Sequence, residues 1–273
     1  MKASARACVV NGALALASLA SVLPLFWMLS VSLMQRGEAS QFPPPLVPSA
    51  ATLDNYRALF SALGLGRSFL NSLLVASLST LLSLCFNVTA GYAFAKLEFR
   101  GRDRLFRWLL GALVIPGQVA MIPLFLLLKE LGLVNTYAGV VIPSLASVFG
   151  IFLVRQYAGS IPDELLEAAR IDGAGELRTF VSVVLPTLTP IVVTLALFTF
   201  LGSWNDFLWP LIVLSDDDKR TLPVALAALS REHVQDRELM MAGSVLTVLP
   251  VLVLFLALQR YYLQGIFAGS VKG

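Results

Sequence analysis

Charge is scarce in this sequence. Asp, Glu, Lys and Arg together make up 14% of its 273 residues, whereas 57% of them are hydrophobic. Soluble globular domains carry about 25% charged residues, and a soluble fold could not bury this much apolar side-chain surface. The net charge is only +3, and the basic residues lie between apolar runs, so no basic face for nucleic acid is predicted. The composition excludes a soluble domain and indicates a membrane protein.

Cysteine and histidine are also nearly absent. The two cysteines, Cys8 and Cys85, lie in apolar stretches, where a thiol behaves as a small hydrophobic group. The single histidine is His233. We therefore predict neither a disulfide framework nor a metal site.

Sequence motifs typical of nucleotide binding and of catalysis are missing as well. No lysine lies in a G-x-x-x-x-G-K-[ST] phosphate-binding loop, and no Ser/His/Asp, H-E-x-x-H or paired-carboxylate arrangement is present. We predict that the chain is not an enzyme and holds no cofactor of its own. Its apolar runs contain almost no ionisable residues, which a proton- or sodium-coupled transporter needs near the bilayer midplane. An ion-coupled secondary transporter or channel stays open as an alternative, but energy supplied by a partner protein fits the sequence better.

Long apolar runs dominate what is present. A helix needs about 20 apolar residues to cross about 30 Å of hydrocarbon, and six runs without Asp, Glu, Lys or Arg reach that length. The first is about twice as long as a signal-peptide core, so we interpret it as a retained span. We predict an all-α membrane protein, a single domain over residues 1–273, with six transmembrane helices at about 9–34, 69–95, 108–128, 134–154, 183–205 and 241–261.

The orientation in the membrane follows from the basic loops. The short segment 96–107 carries five basic residues: Lys96, Arg100, Arg102, Arg104 and Arg107. Loops rich in Lys and Arg stay in the cytoplasm. We therefore expect this segment and both termini to be cytoplasmic.

The segment between the predicted fourth and fifth spans, residues 160–186, is polar enough to leave the membrane. Ser160 is a candidate helix cap, and Pro162 and the acids after it suit a first helical turn. Gly173 is predicted to end this helix because glycine accepts the left-handed conformation. Four residues at helical spacing share one face: Leu165, Ala168, Ala169 and Asp172. On physical grounds alone, an amphipathic loop that only joins two spans explains the pattern equally well.

The same segment resembles the EAA loop of ABC importer permeases. Its anchors are Glu167-Ala168-Ala169, then Gly173, then Val183-x-Leu185-Pro186, with Val183 where isoleucine is common. The resemblance implies a type I ABC importer permease fold, whose cytoplasmic coupling loop docks in a cleft of an ATPase subunit. It implies ATPase-coupling roles for nine residues: Glu167, Ala168, Ala169, Asp172, Gly173, Ala174, Phe180, Leu185 and Pro186.

Two further stretches resemble the carbohydrate branch of that family. Residues 204–211 read WNDFLWPL, which looks like its fifth-span signature, and the C-terminus looks like the tail of the second, shorter permease of maltose-type transporters. The resemblance implies that this tail can reach between the ATPase subunits. The candidate contacts are Gly269, Ser270, Val271, Lys272 and Gly273.

Four polar residues are candidates for the translocation path. Asn205 and Asp206 lie near the outer end of the fifth span, and an acid at that place marks a substrate path. A purely structural role in the interfacial belt is the favoured alternative, since in maltose-type transporters the other permease holds most of the sugar. Gln118 in the third span and Asn87 in the second are weaker candidates, since the side chain of either more readily forms an interhelical hydrogen bond than a ligand contact.

The resemblance implies a permease subunit of an ATP-driven, binding-protein-dependent importer in the bacterial cytoplasmic (inner) membrane. The expected partners are the lipid bilayer, a second permease subunit, two cytoplasmic ATPase subunits that bind ATP and magnesium, and an extracellular or periplasmic sugar-binding protein. Nucleic acid is not expected. A di- or oligosaccharide is the expected cargo, with glycerol-3-phosphate or a polyol as the alternative.

Overall fold

The computed structural model describes residues 2–62, 64–232 and 236–268. Within these ranges all regular structure is helical, which confirms the all-α prediction. The α-helices are α1 (Lys2–Ser32), α2 (Asp54–Arg57), α3 (Leu65–Lys96), α4 (Arg102–Gly111), α5 (Met121–Glu130), α6 (Tyr137–Val141), α7 (Val148–Gly159), α8 (Asp163–Ile171), α9 (Glu176–Thr179), α10 (Leu185–Thr187), α11 (Thr189–Trp204), α12 (Leu208–Val213), α13 (Leu222–Glu232) and α14 (Arg237–Ala268).

The predicted spans take two forms. Three are helices long and apolar enough to cross a bilayer unaided: Val9–Ser32, Leu65–Lys96 and Arg237–Gln259. The other three are pairs of helical segments that meet at a bend: Arg102–Val114 with Gly117–Glu130 at 93°, Tyr137–Ser144 with Val148–Gly159 at 41°, and Glu176–Thr187 with Thr189–Trp204 at 78°. If each bent pair is one span, the described chain has up to six spans.

Each bend has a local cause in the sequence. Ile115 is extended, at φ −83° and ψ 117°, because a residue before proline (here Pro116) is pushed out of the helical region. Ser147 is also extended, and its Oγ accepts the Gly150 N–H at 3.2 Å, which begins α7. Pro190 has no N–H to donate to the carbonyl four residues earlier, so the helix is interrupted here. It lies in the first turn of α11, where the missing N–H costs little.

One compact unit comprises Met1–Phe69 and Leu222–Pro250. Its buried apolar cluster is small and consists of Val31, Met34 and Ala39, with Trp27 and Met241 packed against it. Glu238 is fully buried, and its Oε1 accepts the Ala39 N–H at 2.8 Å. Much of α1 is exposed, including Leu16 at 70%, as suits a helix whose apolar side chains face lipid.

The other unit comprises Leu70–Thr221 and Val251–Gly273. In it α3 approaches α7 closely at Gly91, where an added Cβ would lie 2.6 Å from the Val154 Cβ. Three buried clusters form its core, and the smallest consists of Phe94, Phe106 and Ile151. The Trp209 cluster consists of Val75, Leu128, Val140, Val141, Trp209, Val213 and Leu214. The Leu166 cluster consists of Val88, Tyr92, Val154, Ala158, Ile161, Leu166, Val184, Leu188 and Leu195.

Candidate functional site

The segment 160–186 forms α8, a tight turn, α9, a π-helical segment (Phe180–Val184) and α10. Ser160 does not cap α8, so that prediction is wrong: its Oγ donates to the Tyr157 carbonyl at the end of α7, at 2.7 Å. Lys96 holds the beginning of α8 instead. Its Nζ donates to the Ile161 carbonyl and to the Asp163 carboxylate, each at 2.6 Å. This clasp ties the end of α3 to the first turn of α8.

The turn after α8 is a Schellman motif. Gly173 has φ +80°, as predicted, and its N–H donates to the Arg170 carbonyl at 3.0 Å, while the Ala174 N–H donates to the Ala169 carbonyl at 2.9 Å. Arg170 also donates through Nε and Nη2 to Glu176 Oε1, at 3.1 and 2.9 Å. The turn therefore fixes the angle between α8 and α9 by backbone bonds and by a side-chain bridge.

Leu166 anchors α8 to the transmembrane helices. Its side chain is only 3% exposed, and it inserts into the cluster named after it. That cluster draws on α3 through Val88 and Tyr92, on α7 through Val154 and Ala158, and on the fifth span through Val184, Leu188 and Leu195. The Leu166 side chain therefore packs α8 closely against all three elements.

The second half of the loop packs on the same core. Phe180 lies 5.0 Å from Tyr92 between ring centroids, a favourable aromatic distance. Phe180 and Leu185 are partly buried against the Leu166 cluster, whereas Pro186 is exposed. Phe180 and Leu185, two of the predicted coupling residues, therefore face inward and support the loop in this conformation.

The opposite face of the loop is open. Glu167, Ala168, Asp172 and Gly173 are exposed, and Ala169 and Ala174 are half-buried. Apolar side chains extend this face: Leu165 is 45% exposed, Ile171 86% and Leu177 76%. A polar loop with exposed leucine and isoleucine is typical of a docking surface.

A cavity of about 580 Å³ lies in the same unit, among the second to fifth spans. Gln118 and Asp206, two of the predicted path residues, both line it. The rest of the lining combines aliphatic and small residues with hydroxyl-bearing and aromatic side chains: Ser79, Ser83, Gly117, Met121, Leu124, Val140, Pro143, Ser144, Ala146, Ser147, Phe149, Leu195, Phe198, Thr199, Gly202, Ser203 and Trp209. Hydroxyls, an amide, a carboxylate and aromatic rings together suit a polar organic cargo.

Asp206 has a structural bond as well as a place in the cavity wall. Its Oδ1 accepts the Trp209 N–H at 3.3 Å, and Trp209 Nε1 donates to the Gly139 carbonyl at 3.2 Å. Asp206 therefore both supports the structure through Trp209 and lines the cavity, so the arrangement is compatible with both roles predicted for it. Asn205 does not line the cavity: it is exposed, and its Nδ2 donates to the Leu201 carbonyl at 3.0 Å.

Asn87 supports the cavity wall from behind. It is fully buried; its Nδ2 donates to Ser83 Oγ at 2.7 Å, and its Oδ1 accepts the Ser147 N–H at 2.9 Å. Ser83 and Ser147 line the cavity, whereas Asn87 does not. In this conformation Asn87 satisfies the backbone at the bend of the fourth span.

The sequence does not distinguish several of these residues. Lys96 is one of five basic residues in a loop, and Leu166 lies beside the face that the helical spacing favours. The cavity serines carry no signal in a single sequence, because serine is common in transmembrane helices. The predicted tail contacts, Gly269 to Gly273, lie outside the described residues.

The chain resembles known transport proteins over most of its length. Residues 87–267 match the family model described as binding-protein-dependent transport system inner membrane component. The arabinooligosaccharides transport system permease protein AraQ of Halalkalibacterium halodurans is 41% identical over 245 residues, 89% of this chain and 86% of that protein. The melibiose/raffinose/stachyose import permease protein MelC of Bacillus subtilis is 34% identical over 262 residues, 95% and 94% of the two chains.

A solved structure has the same fold. It is the crystal structure of a bacterial ABC transporter involved in the import of the acidic polysaccharide alginate, and it matches with a TM-score of 0.84 at 25% identity. The match covers 96% of this chain and 98% of that one.

Proposed function

Because the chain belongs to the binding-protein-dependent transport system inner membrane components, as a permease of a carbohydrate ABC importer, we propose that it couples ATP-driven closure of partner subunits to the import of a di- or oligosaccharide. The attachment of α8 to three spans through Leu166 carries this proposal. The names of the similar proteins, for arabinooligosaccharides and for melibiose, raffinose and stachyose, support an oligosaccharide cargo. An ion-coupled transporter or channel would leave the docking face of α8 unused.

Two cytoplasmic ATPase subunits bind ATP and magnesium and hydrolyse the ATP; this chain performs no chemistry. The exposed face of α8 docks in a cleft of one ATPase, where Ala168 allows close approach and Glu167 meets a basic or hydrogen-bonding group. Leu165, Ile171 and Leu177, all exposed, provide the apolar part of the contact. The tail, residues 269–273, is a second ATPase contact.

Closure of the ATPase pair moves α8, and the rigid attachment of α8 passes the motion on. The Lys96–Asp163 clasp and the Leu166 cluster make α8 move with parts of α3, α7 and the fifth span as one body. ATP and the loaded binding protein shift the equilibrium because each binds one state more tightly. Access to the path then alternates between the two sides of the membrane.

A second permease subunit completes the path, and the sugar-binding protein docks on outer segments that include residues 214–238. The cargo passes the cavity, where Gln118 and Asp206 can bond to sugar hydroxyls and the neighbouring aromatic rings can pack on the sugar ring. Asn87 positions the cavity wall, and Asn205 lies beside the path.

The coupling loop and the basic segment 96–107 lie on the same side of the membrane, because Lys96 contacts both α3 and α8. The excess of arginine in that segment makes this side cytoplasmic, with both termini on it. Accessibility of a cysteine introduced at Glu167 to a membrane-impermeant thiol reagent tests this orientation. Labelling in intact cells would contradict it.

The central experiment combines Glu167→Ala with Gly173→Asp. Asp at φ +80° is strained, so the angle between α8 and α9 changes and sugar uptake is lost while the chain stays in the membrane. Gly175→Asp is the matched control, because Gly175 has φ −70° and precedes α9, where aspartate is a favourable cap. Uptake of a radiolabelled trisaccharide and the membrane content of the chain are measured together.

Uptake at the wild-type rate in the double variant would remove the coupling role. Purification of the native complex separates the remaining alternative: ATPase and second permease that co-purify support the importer, and a homo-oligomer without ATPase favours an ion-coupled transporter. Uptake of glycerol-3-phosphate or a polyol, and not of the trisaccharide, would contradict the cargo class alone.

A further inference from the structure

α4 is held firmly against its neighbours by aromatic contacts. Phe106 is 4% exposed and packs on Phe94 with ring centroids 5.4 Å apart. The Arg155 guanidinium lies 3.8 Å from the Phe106 ring centroid, a cation–π contact. The segment that contains α4, Arg102–Val114, is bent by 93° from Gly117–Glu130. α4 therefore crosses the direction of the helix that follows it, in a fixed position.

The beginning of α4 and the turn before it carry unneutralised positive charge. A pocket of about 550 Å³ is lined by four arginines and two acids, namely Arg100, Arg102, Arg104, Arg107, Glu98 and Asp103. Asp103 is shared between Arg102, at 3.5 Å, and Arg155, at 3.7 Å. Among the described residues, Arg100, Arg104 and Arg107 form no ion pair, and all three are exposed. Arg107 Nε donates to the Asp103 carbonyl at 3.3 Å, and the terminal guanidinium nitrogens of the three arginines are available to an anion.

Exposed apolar side chains continue directly from these arginines. Trp108 is 77% exposed and lies one helical turn after Arg104, on the same face. Leu105 is 55% exposed, and beyond α4 Val114 is 83% exposed. Tryptophan and arginine side by side at the edge of an apolar stretch are typical of the level of lipid headgroups.

We propose that this arginine pocket, formed by Arg100, Arg104 and Arg107, binds the headgroup of an anionic phospholipid such as phosphatidylglycerol. Guanidinium groups bind phosphate oxygens in a planar, bidentate geometry, and acyl chains lie along Leu105 and Trp108. A zwitterionic lipid is disfavoured because its headgroup cation faces the arginines. This lipid site is separate from the coupling loop and does not depend on the proposed cargo.

The test uses Trp108 as a reporter in the intact importer complex, reconstituted in nanodiscs of phosphatidylcholine. Brominated phosphatidylglycerol or brominated phosphatidylcholine is added at increasing fractions, and the fluorescence quenched in the wild type but not in Trp108→Phe is assigned to Trp108. A basic residue near an anionic membrane surface contributes about 1 kcal/mol, or about fivefold in affinity. We expect brominated phosphatidylglycerol to half-quench Trp108 at a fraction at least about fivefold lower than phosphatidylcholine does.

Three variants sharpen the result. In R100Q/R104Q/R107Q the two brominated lipids quench Trp108 equally. R100K/R104K/R107K keeps most of the preference for phosphatidylglycerol because its positive charge is retained. Lys129→Gln, which removes an exposed charge from the end of α5, leaves the preference unchanged. Sodium phosphate lowers the preference for phosphatidylglycerol no more than sodium chloride of the same ionic strength does.

Equal quenching by both lipids in the wild type overturns the proposal, and so does a preference that survives in R100Q/R104Q/R107Q. If phosphate abolishes the preference at matched ionic strength, the site binds a soluble anion instead. If neither lipid quenches Trp108, a partner subunit covers this face and no lipid site exists there.

Discussion

The two ends of the helices within the unit Leu70–Thr221 are built in different ways. At the α8 end, one continuous apolar cluster joins three spans to the loop, and Leu166 is its member on α8. At the cavity, helices are bent and serine and threonine hydroxyls lie among the apolar side chains of the wall. The first arrangement suits the transmission of force, because it resists deformation. The second leaves space and hydrogen-bonding groups for a solute.

Removal of the Leu166 anchor is the most damaging change that this comparison predicts. Leu166→Ala leaves a hole in a close-packed cluster and costs about 2–5 kcal/mol of the free energy of unfolding. We expect a lower melting temperature of the detergent-solubilised complex. In proteoliposomes, ATP hydrolysis continues while sugar transported per ATP falls sharply.

Leu81→Ala is the control for this variant, since Leu81 of α3 is 67% exposed, lies outside the coupling loop, and its truncation leaves the melting temperature unchanged. A wild-type ratio of transport to hydrolysis in Leu166→Ala would show that the apolar anchor does not transmit the motion.

The next largest effect is expected at the cavity, from Asp206→Asn. The amide oxygen keeps the bond from the Trp209 N–H, so the wall stays intact and only the charge is removed. A hydrogen bond to a charged group contributes about 1.5–3 kcal/mol, so KM for sugar uptake should rise about tenfold or more. The melting temperature should not change.

Asp54→Asn is matched to it, because Asp54 forms an exposed pair with Arg57 at 3.0 Å, outside residues 214–238, and its loss should not affect KM. Unchanged uptake in Asp206→Asn would restrict Asp206 to its bond with Trp209 and place the cargo elsewhere.

The sequence predicted the parts of this picture that depend on local chemistry. The end of α8 at Gly173 follows from a glycine after a polar helix, and the span positions follow from apolar runs. Leu165 and Leu166 are adjacent and equally apolar, so the sequence could not show which of them packs inward. That choice depends on α3, α7 and the fifth span, which meet α8 only in the folded chain.

Long-range partners explain the remaining differences. Ser160 was expected to cap α8, but its Oγ donates to the Tyr157 carbonyl, and Lys96, more than sixty residues earlier, secures α8 instead. Asn87 was a candidate for the path, yet its bond to Ser147 places it behind the cavity wall. The 93° bend beside Pro116 in the third span was not predicted, and its size depends on packing.

A smaller effect is expected from Asn87→Leu, which sharpens the distinction between wall and path. The substitution keeps the volume but leaves the Ser147 N–H without its acceptor, at a cost of about 1–3 kcal/mol. The melting temperature of the complex should fall, with uptake reduced through lower stability and an unchanged KM. Asn205→Leu, at an exposed amide, should leave the melting temperature nearly unchanged. A raised KM in Asn87→Leu without loss of stability would make Asn87 a cargo contact.

The smallest effect is expected from Arg170→Gln at the turn after α8. Arg170 and Glu176 are 48% and 55% exposed, and exposed ion pairs contribute about 0.2–1 kcal/mol. The Schellman bonds at Gly173 remain, so transport per ATP should fall less than about fivefold. Because salt screens exposed pairs, the difference from the wild type should disappear at high ionic strength in proteoliposomes. Arg178→Gln removes an exposed arginine of the same loop and controls for the loss of one positive charge. If transport per ATP falls as far in Arg170→Gln as in Leu166→Ala, the ion pair, and not the Leu166 cluster, keeps the loop rigid. The contrast between a close-packed loop end and an open cavity would then not explain coupling.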